Sequence, residues 1–149
     1  GFLVEEFSWF DEGLLTGDFL IVRFNSHGVF RQFSVVHKCL RVRHSDFYNS
    51  LSYFSFVKDK DLFLVYNDHL NKLNLELKNP QLLRGPRNPN SVGTLVKISN
   101  HNILTKELLF KYLDFGAYVL PEHCRIIDDR VIIYTGSKNK TKYGELLVK

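Results

Sequence analysis

The sequence predicts an α+β chain of two tandem small modules, each an antiparallel sheet packed with a helix. Three observations carry that prediction. Ile21-Val22-Arg23-Phe24-Asn25-Ser26-His27-Gly28-Val29-Phe30 recurs, class for class, 74 positions later as Leu95-Val96-Lys97-Ile98-Ser99-Asn100-His101-Asn102-Ile103-Leu104. Both stretches read strand, tight polar turn, strand, with Gly28 and Asn102 where a hairpin turn calls for positive φ. Short apolar runs bounded by turn residues continue along most of the chain, and Leu70, Leu73 and Leu77 fall on one helical stripe.

Taken in order, residues 1–18 read as an extension: acidic (Glu5, Glu6, Asp11, Glu12, Asp18), aromatic (Phe7, Trp9, Phe10) and interrupted by Gly13 and Gly17. The first module, 19–85, opens with a strand ending at Phe24 and its hairpin partner Phe30–Val36. Cys39 to Arg43 alternates apolar and basic residues as a half-buried strand does. Tyr53–Val57 and Leu62–Tyr66 are two further strands about the charged turn Lys58–Asp61. Asp68–Leu77 suits a helix capped by Asn67 or Asp68, although Leu73, Leu75 and Leu77 also alternate as in a strand. Asn79–Asn90 holds three prolines and a glycine and reads as a linker, because proline fixes φ and lacks a donor. The second module, 86–149, supplies strands at Thr94–Ser99, Leu108–Leu113, Ala117–Leu120 and Arg130–Tyr134. A basic loop from Ser137 then leads into a short helix around Glu145–Lys149.

Composition bounds the function classes. A chain of 149 residues, 44% hydrophobic and 24% charged, is globular and makes one ordinary domain or two small ones. No apolar run approaches the ~20 residues of a membrane span, and Gly1–Glu6 lacks the basic start of a leader. The enrichment in Phe, Asn, Lys and Leu fits an AT-rich coding sequence such as that of an organellar genome. Lys and Arg balance Asp and Glu over residues 1–85, so the whole net charge of +4 lies in 86–149. That excess favours an anionic partner on the second half. Cys39 and Cys124 are the only cysteines and form no C-x-x-C pair, which fits two reduced, buried thiols.

The motifs present carry little chemistry of an enzyme. None of the six histidines has the spacing of a metal site, and no phosphate-binding or dinucleotide-binding glycine motif occurs. Neither a metal, a cofactor nor a small-molecule substrate is expected. Tyr118-Val119-Leu120-Pro121-Glu122-His123 resembles the strand end that carries the general-base histidine of viral chymotrypsin-like proteases. The family's nucleophile loop, G-x-C-G or G-x-S-G, does not follow it here, so this alternative would be the N-terminal half of such an enzyme. The stretch Gly136-Ser137-Lys138-Asn139-Lys140-Thr141-Lys142-Tyr143-Gly144 differs in kind. It sets three lysines at alternate positions in a glycine-bounded loop, a pattern suited to phosphate oxygens.

A run of features in the second half resembles the large-subunit ribosomal protein six family. Leu120-Pro121-Glu122 followed by Ile126 looks like that family's "I-P-E-G-I" step into a strand. Val131–Gly136 resembles its strand ending in glycine, and Asn139-Lys140-Thr141 with Gly144 resembles the "D-K-Q…V-G" that opens its last helix. Upstream, Gly93–Ser99 and Leu108–Leu113 sit where the family has a strand pair. Val22–Phe33, with Gly28 as its second glycine, resembles the family's first hairpin. The loop Gly136–Gly144 is one residue longer than usual, and the family's basic C-terminal segment has no counterpart before Lys149. The resemblance, with these departures, implies two repeated α+β modules and a structural, non-catalytic role in the large subunit of an organellar ribosome, that of the mitochondrion. Partners would be ribosomal RNA near the translation-factor docking region and neighbouring ribosomal proteins, with no membrane. RNA would fall first on Lys138, Lys140 and Lys142, then on Arg84 and Arg87 of the linker, then on Arg125 and Arg130. A non-ribosomal protein-interaction domain, using the Phe/Tyr surface and the acidic extension, is the other alternative.

Overall fold

The computed structural model describes residues 2–10, 13–38, 40–42, 52–73, 81–82, 87–137 and 140–148. Among them the chain is mostly β, arranged as three sheets with one single-turn helix. The first sheet holds β1 (Phe2–Phe10), β2 (Gly13–Phe24), β3 (Phe30–Val36), β4 (Leu40–Val42) and β7 (Gln81–Leu82). Here β1 lies antiparallel along one edge of β2, β3 and β4 share its other edge, and β7 adds in parallel to β4. The central sheet runs β5 (Tyr53–Lys58), β6 (Asp61–His69), β8 (Ser91–Ile98), β9 (Leu104–Lys111), all antiparallel. The third is centred on β12 (Arg130–Gly136), with β10 (Tyr118–Val119) and β11 (Arg125–Ile127) on one edge and β13 (Thr141–Leu146) on the other.

Alternation along the strands builds a core on each face of the central sheet. Phe63, Val65 and Leu95 point one way and pack with Phe56 against Val119, Cys124, Val131 and Ile133 of the third sheet. Leu64, Tyr66, Val96 and Ile98 point the other way and pack against Phe19, Ile21 and Val36 of the first. Strands buried on both faces have no polar side to show, which is why Leu62–Tyr66 and Leu95–Val96 read as continuous apolar runs. Asn67 clamps the layers together: its side-chain amide donates to Val119 O and accepts from Val119 N, each at 2.8 Å.

The 74-residue repeat builds the same turn twice. Asn25 N donates to Val29 O and Ser99 N to Ile103 O, both at 2.9 Å; Gly28 N and Asn102 N donate back to Asn25 O and Ser99 O. Gly28 has φ 76° and Asn102 φ 64°, the left-handed conformation that both residue types tolerate. The two hairpins also touch. The Arg23 guanidinium donates to the carbonyls of Ile98 and Ser99 at 2.8 Å, and the Ser34 hydroxyl donates to the Asn102 side chain.

The expected α+β class, with a helix on each of two sheets, is therefore corrected. Eight-residue pairing of β6 with β8 places strands from either side of position 85 in one sheet. The helix expected over 68–77 is a 3-10 turn at Leu70–Leu73, with 74–80 outside the described residues. The closing helix at 145–149 is replaced by β13, which ends at Leu146. A helix that short is marginal in water, whereas β12 offers a full edge of donors and acceptors from Val131 to Gly136. The single α-turn, Tyr112–Phe115, stops at Gly116, whose φ of 60° makes it a left-handed cap. Residues 2–10, expected in an extension, form β1, and Glu5 is buried by it.

Tyr66 gives a pH prediction. Its ring is fully buried, and burial, reinforced by the nearby Asp68 charge, holds the phenol well above its ordinary value of 10. The folded state therefore keeps a proton that the unfolded chain loses, so this contribution to stability is present below pH 10 and is lost as pH rises beyond it. Lys38 acts oppositely, because burial pulls its ammonium below 10.5 and its contribution rises with pH up to that value. Tyr66→Phe is expected to flatten the alkaline loss of stability relative to wild type, measured by urea unfolding at successive pH values. Parallel wild-type and variant profiles would refute this assignment.

Candidate nucleic-acid interface

The third sheet gathers most of the basic residues that the sequence singles out, and it splits them between two sides. Arg125 pairs across from Ile132 and Ile127 from Arg130, so Arg125, Ile127, Arg130, Ile132 and Tyr134 share the outer face. On β13, Tyr143 lies opposite Tyr134 on that same face, with ring centroids 5.7 Å apart, and is 74% exposed. Lys142 lies opposite Thr135 and so points the other way, toward the end of β9. The two arginines and the two lysines thus do not form one patch. Arg87 is exposed in the turn before β8, on a different sheet, while Lys138 and Arg84 lie outside the described residues.

Lys140 and Lys142 border a cavity of about 250 Å³, lined also by Phe110, Phe115, Thr135 and Ser137. Local chemistry shapes each wall. Ser137 N donates to Lys140 O at 2.8 Å, closing a four-residue turn that brings the chain back along β12. Phe110 lies across Gly93, where an added Cβ would come within 2.7 Å of the ring; any other residue there would push the ring aside. Phe115 ends the helical turn, 71% exposed, and meets Phe110 edge to face at 6.4 Å. Among the described residues, none that lines the cavity is acidic. The acids of this sheet lie elsewhere: Asp128 and Asp129 in the β11–β12 turn, and Glu145 on the outer face opposite Ile132. Phe110 and Phe115 escape notice in the sequence, where an aromatic beside a strand end reads as core.

A second concentration of charge is buried between the first and central sheets. The Lys38 ammonium pairs with Glu5, and the Lys106 ammonium with Asp68 Oδ2 at 2.6 Å. Lys106 also donates to Lys72 O at 2.7 Å and His37 O at 3.2 Å. Burial pushes the Glu5 and Asp68 carboxyls up, against the pull of their lysines. Two ammonium groups lie near the Tyr66 ring, Lys38 at 5.5 Å and Lys106 at 5.7 Å from its centroid. These groups answer one another and hold two sheets in register, a structural role. Period-two alternation signals them in hindsight, since Ser34, Val36, Lys38 and Leu40 all fall on the buried face.

The protease-like segment shows weak geometry for a base. His123 Nε2 is 3.7 Å from Glu122 Oε1, both side chains about half exposed on one 3-10 turn. The neighbouring Cys124 is buried; its thiol donates to Leu120 O and is pushed up by burial, the opposite of an activated nucleophile. Cys39 lies outside the described residues. Among the described residues no group of three or more His, Cys, Asp and Glu could hold a metal ion, and no helix is long and apolar enough to cross a membrane. Comparison with protein-family models, with curated proteins and with solved structures finds no match.

Proposed function

We propose that this protein is a non-catalytic RNA-binding component of a ribonucleoprotein assembly, and that RNA meets it at the Lys140–Lys142 end of the third sheet. One observation carries this reading: two lysines stand beside an exposed aromatic cavity whose lining, among the described residues, contains no carboxylate. Ammonium groups neutralise phosphates while aromatic rings accept unpaired bases, the two terms from which sequence-tolerant RNA binding is made. Arg125 and Arg130, beside Tyr134 and Tyr143 on the outer face, offer a second set of cations and rings. The resemblance of 117–147 to large-subunit ribosomal protein six makes a mitochondrial large ribosomal subunit the assembly to test first. That proposal stands on residues alone, because β13 occupies the place of that family's last helix.

Replacing Lys140 and Lys142 together with alanine should weaken binding of a short single-stranded RNA and flatten its dependence on salt. Each phosphate left without its lysine takes about 0.7 from the slope of log affinity against log salt, so the slope should fall by about 1.4. Fluorescence anisotropy at several salt concentrations reads this directly, and an unaltered slope would remove these lysines from the interface.

A further inference from the structure

We propose that the cavity between β9 and β12 receives a single unstacked nucleobase, its ring against Phe115 and its flanking phosphates on Lys140 and Lys142. This rests on the RNA-binding reading and names what that site selects: single-stranded RNA over duplex. At about 250 Å³ the cavity falls below the ~300–1,000 Å³ of pockets for larger ligands, so it suits one ring system. Its aromatic wall is also held in place. Phe110 is seated on Gly93, and Phe115 is positioned by a helical turn whose Gly116 N–H closes on Tyr112 O at 2.6 Å. An aromatic side chain exposed to 71% yet fixed at its backbone is a stacking platform that costs little ordering on binding.

Hydrogen bonding adds selectivity. The Ser137 hydroxyl donates to Lys140 O at 3.2 Å, so toward the cavity its oxygen has only lone pairs to offer. It can accept from the amino or imino hydrogens on a base edge. In a duplex those hydrogens are engaged by the opposite strand, and the base faces are stacked. Only an unpaired base can satisfy ring, hydroxyl and ammonium together. Asp114 is exposed on the same helical turn as Phe115 but is not part of the cavity wall.

The test compares a short single-stranded RNA, the same sequence as a duplex, and adenosine monophosphate, against wild type and Phe115→Ala. Expected is a preference of wild type for the single strand, and about a tenfold loss of that affinity in Phe115→Ala with no change of salt slope. Phe115→Tyr, which keeps the ring, should restore binding and shows that the loss is not one of folding. Equal binding of single-stranded RNA by wild type and Phe115→Ala, with a slope still sensitive to Lys140 and Lys142, would overturn the base slot and leave the RNA-binding reading standing. Competition by adenosine monophosphate as strong as by RNA would also overturn it, in favour of a free nucleotide. Failure of wild type to bind either RNA would overturn the reading itself.

Discussion

Lys106→Ala is expected to destabilise the protein by about 3–5 kcal/mol, the cost of breaking a buried ion pair by removing one partner. The Lys106 and Asp68 side chains are each almost wholly buried; the ammonium pairs with Asp68 Oδ2 and donates to the carbonyls of Lys72 and His37. Alanine leaves a carboxylate in the interior with Lys38 as its remaining cationic neighbour, and two carbonyls lose their donor. The companion experiment is Lys106→Met with Asp68→Leu, which removes both charges and keeps comparable volume. The double variant should recover most of the loss, because a buried pair adds little over well-packed apolar groups. Urea unfolding of the three proteins checks this. A single variant within about 1 kcal/mol of wild type would mean that Asp68 is not held ionised by Lys106.

Phe63→Ala should cost a similar amount, about 3–5 kcal/mol. Phe63 is 2% exposed, stacked on Phe56 with centroids 5.0 Å apart, and central to the core between the second and third sheets. Its neighbour Leu64 faces the opposite core, where alanine should cost about 2–5 kcal/mol. The two positions share a strand, so each substitution is expected to lower the stability of the whole molecule in one transition. Amide exchange provides the readout: protection should fall together in β2 and β12 for either variant. Protection retained in β12 while β2 opens in Leu64→Ala would show that the layers unfold separately.

Much of the local structure was legible because it depends on local chemistry. Phe30–Val36 is the strand expected as the hairpin partner after the Asn25–Gly28 turn, and both turns of the repeat close as the positive-φ positions Gly28 and Asn102 require. What failed was long-range pairing and helix content. Nothing in Phe2–Phe10 announces that it will lie along β2, because its acids read as solvated until Glu5 meets Lys38 across 33 positions. Leu70 and Leu73 fit a helical stripe, yet they belong to one 3-10 turn. Strand β13 is exposed from Thr141 to Glu145, so it carries no hydrophobic period by which a strand could be recognised. Of the candidate site, lysines 140 and 142 could be read from the sequence. Their cavity could not, since Phe110 and Phe115 reach it only after β8, β9 and β12 have been stacked.

The measurement that most directly tests RNA binding at the third sheet is ultraviolet crosslinking of the whole protein to single-stranded RNA, followed by mass spectrometry of the crosslinked peptides. Crosslinks are expected in 110–117 and 134–143, where Phe115, Tyr134 and Tyr143 present rings beside basic side chains. Crosslinks confined to β2 and β3 of the first sheet, or their absence at saturating RNA, would contradict an RNA interface at this end of the molecule.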